Sequence, residues 1–274
     1  DELVYVAQKI EAQNLQQLAY GTSSAKQVTL SFYVKSSVTG TFSTNLYQVD
    51  DNRIVNSEYA ISSANTWERK EITYAADQTG VIDNDNGSGF YVTWNLALGS
   101  NRKGNAAAAW ETQNTDNWGG AGTYTDAVIT TVNSTWEITG VQLEIGDVAT
   151  PFEHRSYGDE LLRCQRYYQE IGHYRHLAQG ARWTTNQVFV TYNLASNMRA
   201  TPAATATGVP NSARYDNGQQ ADATSLVAVN GIAENTTKAA NVTIIWAIGY
   251  DPTAALHYVY SNTDGDLVAL DAEL

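Results

Sequence analysis

Between Gln27 and Ser37 the chain alternates strictly, with Val28, Leu30, Phe32 and Val34 on one face and Thr29, Ser31, Tyr33 and Lys35 on the other. That period of two predicts a strand covering a core. Runs at 40–50, 65–75, 89–98, 126–132 and 135–146 read the same way, with Asp-Asn, Gly-Ser and Gly-Gly turn signals between them. Strands at this spacing without intervening helices predict a β-sandwich or jelly roll. Beyond residue 168 alternation returns at 186–195, 225–233, 241–250, 256–262 and 266–274, which predicts a second, smaller antiparallel sandwich. No period of about 20–50 residues marks a solenoid or propeller.

One segment breaks the rule. Pro151 closes the last strand of the first half, because proline lacks an N–H for the ladder. In SYGDELLRCQRYYQ (156–169), Leu161, Leu162, Gln165 and Tyr168 follow helical offsets, with Asp159 and Glu160 early and Arg163 and Arg166 late. Acids first and bases last suit the helix dipole. The expected fold is therefore all-β: two antiparallel, jelly-roll-like sandwiches, 1–155 and 168–274, joined by a short helical connector at 156–167.

Composition agrees with sheet. Of 274 residues 11% are aromatic and only 16% charged, a strand vocabulary. The net charge of −13, without any Lys or Arg run, argues against nucleic acid as a partner. No apolar stretch approaches the roughly 20 residues of a membrane span, and no signal-peptide pattern opens the chain. A soluble protein without membrane insertion is expected, with a segment upstream of Asp1. The single cysteine, Cys164, excludes an internal disulfide and reads as a small buried hydrophobe on the connector.

Catalytic signatures are missing: no GxSxG, HExxH or phosphate-binding loop occurs. His173 and His176, three apart in a strand, fall on opposite faces. A carboxylate pair needs no fixed spacing, so glycoside cleavage stays open as a third reading. Asp83, Asp85 and Asn86 in IDNDNGSG offer oxygens for a structural Ca²⁺, but Trp94 stands where an EF-hand would close with Glu, and a solvated turn is the alternative. No other cofactor is implied. The long span 100–125 carries Trp110, Trp118 and Tyr124 beside Asn114, Asp116 and Asn117. Aromatic faces stack on sugar rings while amides and carboxylates meet hydroxyls, so these six are the candidate glycan site. Aromatics folded back as plugs, or buried against another chain, are the alternative.

TWEITGVQLEIGDVATPFEHRSYGDELLRCQRYYQ (135–169), preceded by QKIEAQNLQQLAYGTSSAKQVTLSFYVKSSVTGTFS (8–43), resembles a module of many tailed-phage virion proteins, especially tail fibres and related appendages. Its N-terminal part there looks like a carbohydrate-binding-module jelly roll. NMRATPAATAT (197–207) is similar to the segment that follows in such fibres. The resemblance implies a virion protein, assembled in the host cytoplasm, whose partners are other virion proteins and a host-surface glycan. It implies a homotrimer and supplies neither catalytic residues nor a ligand set. In a threefold fibre Leu161, Leu162 and Tyr168 would meet at the axis. A purely structural head-fibre, decoration or adaptor protein is the alternative function, and a glycan depolymerase the third.

Overall fold

The computed structural model describes the backbone of residues 3–102, 109–119, 125–172, 176–184, 187–206, 211–214, 220–233, 239–248, 257–260 and 267–273, and side chains within 3–102, 109–119, 125–171, 191–205 and 268–273. The chain divides into two compact units, Asp1–His154 and Arg155–Glu273.

The first unit is two antiparallel sheets packed face to face. Its strands are β1 (Leu3–Glu11), β2 (Val28–Ser36), β3 (Gly40–Gln48), β4 (Arg53–Ile61), β5 (Glu68–Tyr74), β6 (Ser88–Leu98), β7 (Glu111–Thr112) and β8 (Trp136–Ile145). One sheet runs β1-β6-β3-β4-β7 and the other β5-β2-β8. The alternation of β2 does what it predicts: Val28, Leu30, Phe32 and Val34 are fully buried against Phe42, Leu46, Tyr59, Phe90, Val92 and Trp94 of the larger sheet. Phe32 meets Tyr59 edge-on at 5.2 Å and Trp94 at 5.7 Å, the geometry aromatic quadrupoles favour. A register shift between Ser31 and Tyr33 bulges β8 at Gly140, whose φ of +58° suits glycine.

Two departures from the sequence pattern are local. The run 126–132 is not a strand; Ala127–Thr130 is a single helical turn, α1. The Asp126 carbonyl accepts from the N–H groups of Ile129 and Thr130, and the Thr125 hydroxyl accepts from the Ala127 N–H at 3.0 Å. Those bonds outweigh the strand preference of the β-branched residues. The strands β1 and β4, absent from the pattern, are both present.

The second unit opens with α2 (Tyr157–Gln165). It continues through β9 (Tyr168–Gly172), β10 (His176–Thr184), β11 (Gln187–Met198), β12 (Ala203–Ala206), β13 (Asn211–Arg214), β14 (Gln220–Ala233), β15 (Ala239–Ile248), β16 (His257–Tyr260) and β17 (Leu267–Asp271). It is not the expected second sandwich. Six strands pair in a closed circuit, β10-β11-β15-β14-β13-β16, and β12-β17-β9 form a separate three-stranded sheet. Three register shifts along β14 supply the extra twist that lets a sheet curl, and closure removes the free edges a sandwich would carry. The helix belongs to this unit through hydrogen bonds at its C-terminal end. Gln169 Nε2 donates to the carbonyls of Gln165 and Ser196, both at 2.9 Å, and its Oε1 accepts from the Ala195 N–H. No helix among the described residues is long and apolar enough to cross a membrane.

Candidate functional site

The outward face of an antiparallel sheet is ordinarily solvated. In the larger sheet of the first unit it is not: Ser43, Asn45, Ile54, Asn56, Thr93 and Asn95 are all buried. The covering layer is the segment after β6. Trp118 is 8% exposed and packs on Ile54 and Leu98, with the rings of Tyr47 and Tyr5 at 5.6 and 5.8 Å. Its carbonyl accepts from Asn45 Nδ2 at 2.7 Å, and the Asn117 carbonyl accepts from Asn56 Nδ2 at 2.8 Å. Buried amides thus clasp the loop from below.

The loop is shaped locally by its own polar residues. Asn114 caps a short 3-10 turn, Thr115–Asn117. Its Oδ1 accepts from the Asp116 N–H, its N–H donates to Asn117 Oδ1, both at 2.8 Å, and Asn117 Nδ2 donates to the Thr112 carbonyl. This reciprocal cap satisfies donors that a turn leaves open. Trp110 enters the core from the loop's other end. Its Nε1 donates to the Ala75 carbonyl at 2.6 Å, and its ring stacks on Phe90 at 6.0 Å and meets Tyr20 edge-on. Beside it Arg53 Nε pairs with Asp77 Oδ2 at 2.5 Å. Burial, and next the charge of Asp77, push the Tyr20 hydroxyl well above the usual tyrosine range.

The six candidate glycan residues therefore do not form one open platform. Trp110, Asn117 and Trp118 are committed to packing and to the cap, Asn114 and Asp116 are exposed, and Tyr124 lies outside the described residues. The physical reason is area: large aromatics gain more from burial on the sheet than from facing water.

The Asp83–Asn86 turn is likewise occupied with its own geometry. Asp50 Oδ2 accepts from the Asp83 N–H at 3.0 Å, Asp51 Oδ2 from the Val81 N–H at 2.6 Å, and Asp85 Oδ1 from the Gly87 N–H at 2.8 Å. The carbonyls of Asp83 and Asp85, which a cation would need, accept from Gln16 Nε2 and the Gln13 N–H. Asn86 also has a partner. Burial raises the Asp50 carboxyl above the usual range; the Asp83 N–H opposes this, and the charges of Asp83, Asp85 and Asp51 add to it. Among the described residues no group of three His, Cys, Asp or Glu side chains could hold a metal ion.

The third candidate set lies on α2 and just after it. Ser156 caps the helix, its Oγ accepting from the Asp159 N–H at 3.2 Å, with Asp159 and Glu160 in the first turn and Arg163 in the last. No residue of α2 is buried. Tyr157 is 82% exposed, Leu162 54% and Leu161 40%. Cys164 is exposed too, contrary to the buried position expected of it. Tyr168 is also exposed; its hydroxyl donates to Glu170 Oε1 at 2.7 Å, which raises its pKa. A nine-residue helix is shorter than helices that hold alone in water, and apolar side chains normally supply the stabilising face. Here that face points outward.

Sequence reasoning missed the buried row of Asn45, Asn56 and Asn95. Polar residues at the outward positions of a strand read as solvated, and no local signal announces a loop folding over them. No protein-family model and no curated protein matches the chain. Among solved structures, one described as the PBSX exported protein XepA aligns over 97% of this chain and 80% of its own, at 10% identity and a TM-score of 0.20. A similarity that slight carries no argument.

Proposed function

We propose that the chain is a non-enzymatic structural protein of a tailed-phage virion, a fibre or appendage component that assembles through α2 into a homotrimer. The observation that carries the reading is a capped helix with none of its side chains buried and with Leu161 and Leu162 facing out. Supporting it is the phrase 135–169, which runs through this helix and carries the likeness to virion proteins. Tyr157, Leu161 and Cys164 recur at helical spacing along α2, with the exposed Tyr168 just beyond it at the start of β9, so three copies meeting along this stripe would each cover apolar surface. Partners of this class are further copies of the chain and other virion proteins, met after synthesis in the host cytoplasm. Host-glycan contact ranks second, because Trp110 and Trp118, the aromatic half of that candidate site, serve the fold of the first unit.

Cys164 is a built-in reporter. In the full chain its thiol should react with a maleimide at least about tenfold more slowly than in a Leu161→Asp, Leu162→Asp variant, because two buried charges per copy at an apolar junction block association. Equal rates in the two proteins would remove the helix from the assembly surface. A glycan array run on the wild type beside a folded Trp110→Ala, Trp118→Ala variant supplies the contrast: binding that needs Trp110 or Trp118 would restore the receptor reading.

A further inference from the structure

The outer face of the β5-β2-β8 sheet is covered only in part. At one end Thr29 and Ser31 are buried, because the strap after β8 folds back over them. The Thr29 hydroxyl donates to the Gly146 carbonyl at 2.8 Å, Glu144 Oε2 accepts from the Thr150 N–H at 3.0 Å, Arg69 Nη2 donates to the Thr150 carbonyl at 2.8 Å, and Gln142 Oε1 accepts from the Glu153 N–H at 2.8 Å. The other end is open, and aromatic rings stand on it. Register places Tyr33 between Arg69 of β5 and Thr139 of β8, and Lys35 across from Glu137. Trp67, just before β5, lies beneath Lys35 Nζ, 5.1 Å from its ring centroid. On the β8 side of Tyr33, a Cβ at Gly140 would fall 3.1 Å from Tyr33 Cδ2 and 3.9 Å from Phe152 Cδ2, so these two rings approach over a residue whose missing side chain leaves them room. Trp67, Tyr33 and Phe152 are all exposed, at 44%, 39% and 40%.

Single apolar residues scattered over a surface need no explanation, but neighbouring exposed rings do, and here the polar side chains that fasten the strap also hold Phe152 in place. We infer that the strip of Trp67, Tyr33 and Phe152 is a binding site for a neutral hexose oligosaccharide, separate from the loop of Trp110 and Trp118 and from α2. Pyranose rings lay apolar C–H faces on aromatic side chains, and their hydroxyls need donors and acceptors at the rim. The rim supplies both: Lys35 pairs with Glu137 at 2.9 Å and Arg69 with Glu71, and the two carboxylate side chains are 46% and 50% exposed. Each pair is neutral, so in a chain of net charge −13 nothing on this face offsets the repulsion of an anionic polymer, and an uncharged sugar fits it. Another protein is the competing occupant, since interfaces also favour aromatics. It would have to desolvate both ion pairs, whereas sugar hydroxyls hydrogen-bond to them. A face without a pocket covers one side of its ligand only, so Kd is about 10⁻⁴–10⁻³ M.

The test is calorimetric titration of the full chain with cellohexaose, laminarihexaose and mannohexaose as neutral probes and oligogalacturonate as the charged one. Wild type is compared with Trp67→Ala and Phe152→Ala, whose exposed rings can be removed without unfolding the first unit; circular dichroism checks that both variants fold. At least one neutral probe should bind wild type saturably, and oligogalacturonate should not. Each substitution should weaken that binding by about tenfold or more. No binding of any neutral probe, binding that survives both substitutions, or equal binding of oligogalacturonate overturns the site. Light scattering on the same proteins separates the competing occupant: a change of chain number in Trp67→Ala assigns the strip to contact between copies and overturns the sugar site, whereas an unchanged mass with lost sugar binding supports it.

Discussion

Replacing Trp118 by alanine separates a structural loop from an open binding platform. The side chain is buried against Ile54 and Leu98 and is flanked by Tyr5 and Tyr47. Its truncation removes that packing and leaves a cavity, a change that costs about 3–5 kcal/mol in cores. The two aromatic contacts belong within that figure, at about 0.5–1.5 kcal/mol each. The hydrogen bonds from Asn45 and Asn95 reach the main-chain carbonyl of residue 118, which alanine keeps, and the indole Nε1 has no partner to lose. The loss should therefore be packing alone, and Trp118→Phe should recover about half. An exposed binding tryptophan would instead change stability by no more than about 0.5 kcal/mol. Denaturant titration followed by the remaining tryptophans of the first unit gives the number, provided the slope m is unchanged. Trp67→Ala is the control: the ring is 44% exposed beneath Lys35 Nζ at 5.1 Å, and its removal should cost under about 1 kcal/mol. A Trp118→Ala loss below about 1 kcal/mol at constant m would refute the packed loop.

Gly89→Ala should destabilise the first unit by about 1–3 kcal/mol, read as a lower denaturation midpoint, because the added Cβ would lie 2.7 Å from Ala12 Cα and 2.8 Å from Leu15 Cδ1. Asp50 has a folded pKa above its unfolded value, so its folded state prefers the proton and stability falls as pH rises from about 3.9 through the folded pKa. Asp50→Asn, which keeps an acceptor for the Asp83 N–H, should accordingly unfold at a higher temperature than wild type at pH 7, and calorimetry should find the gap closed below about pH 4. Ser156→Ala removes the cap of α2 and should cost about 1 kcal/mol of helix stability, seen as faster amide exchange at Asp159, while Ser156→Asp should restore protection.

The parts of the fold legible in the sequence are those where apolar and polar side chains alternate by type. In β2 Val28, Leu30, Phe32 and Val34 alternate with Thr29, Ser31, Tyr33 and Lys35, so the core face stands out even though Thr29 and Ser31 on the other face are themselves buried. The strand β4 has Val55 and Tyr59 in the core and Ile54 and Asn56 buried under the loop, so its two faces do not contrast and no alternation marks it. In the second unit alternation is equally compatible with a sandwich and with a closed circuit. Which strand pairs with which decides between them, and bulges such as those along β14 leave no composition signal. For the candidate sites, the residues of 100–125 and of α2 were readable as unusual, but the direction each faces was not. Tryptophan suits a core and a sugar equally, and only the layer of Asn45, Asn56 and Asn95 beneath the loop turns Trp118 inward. The exposed Cys164 illustrates the converse: a small apolar residue reads as buried until the helix carrying it has no core to face.

Assembly through α2 is the central claim, and light scattering on the full chain after size-exclusion chromatography tests it most directly. The account predicts a single species of three chain masses that falls to one chain mass in the Leu161→Asp, Leu162→Asp variant. A monodisperse wild-type monomer at tens of micromolar would contradict it.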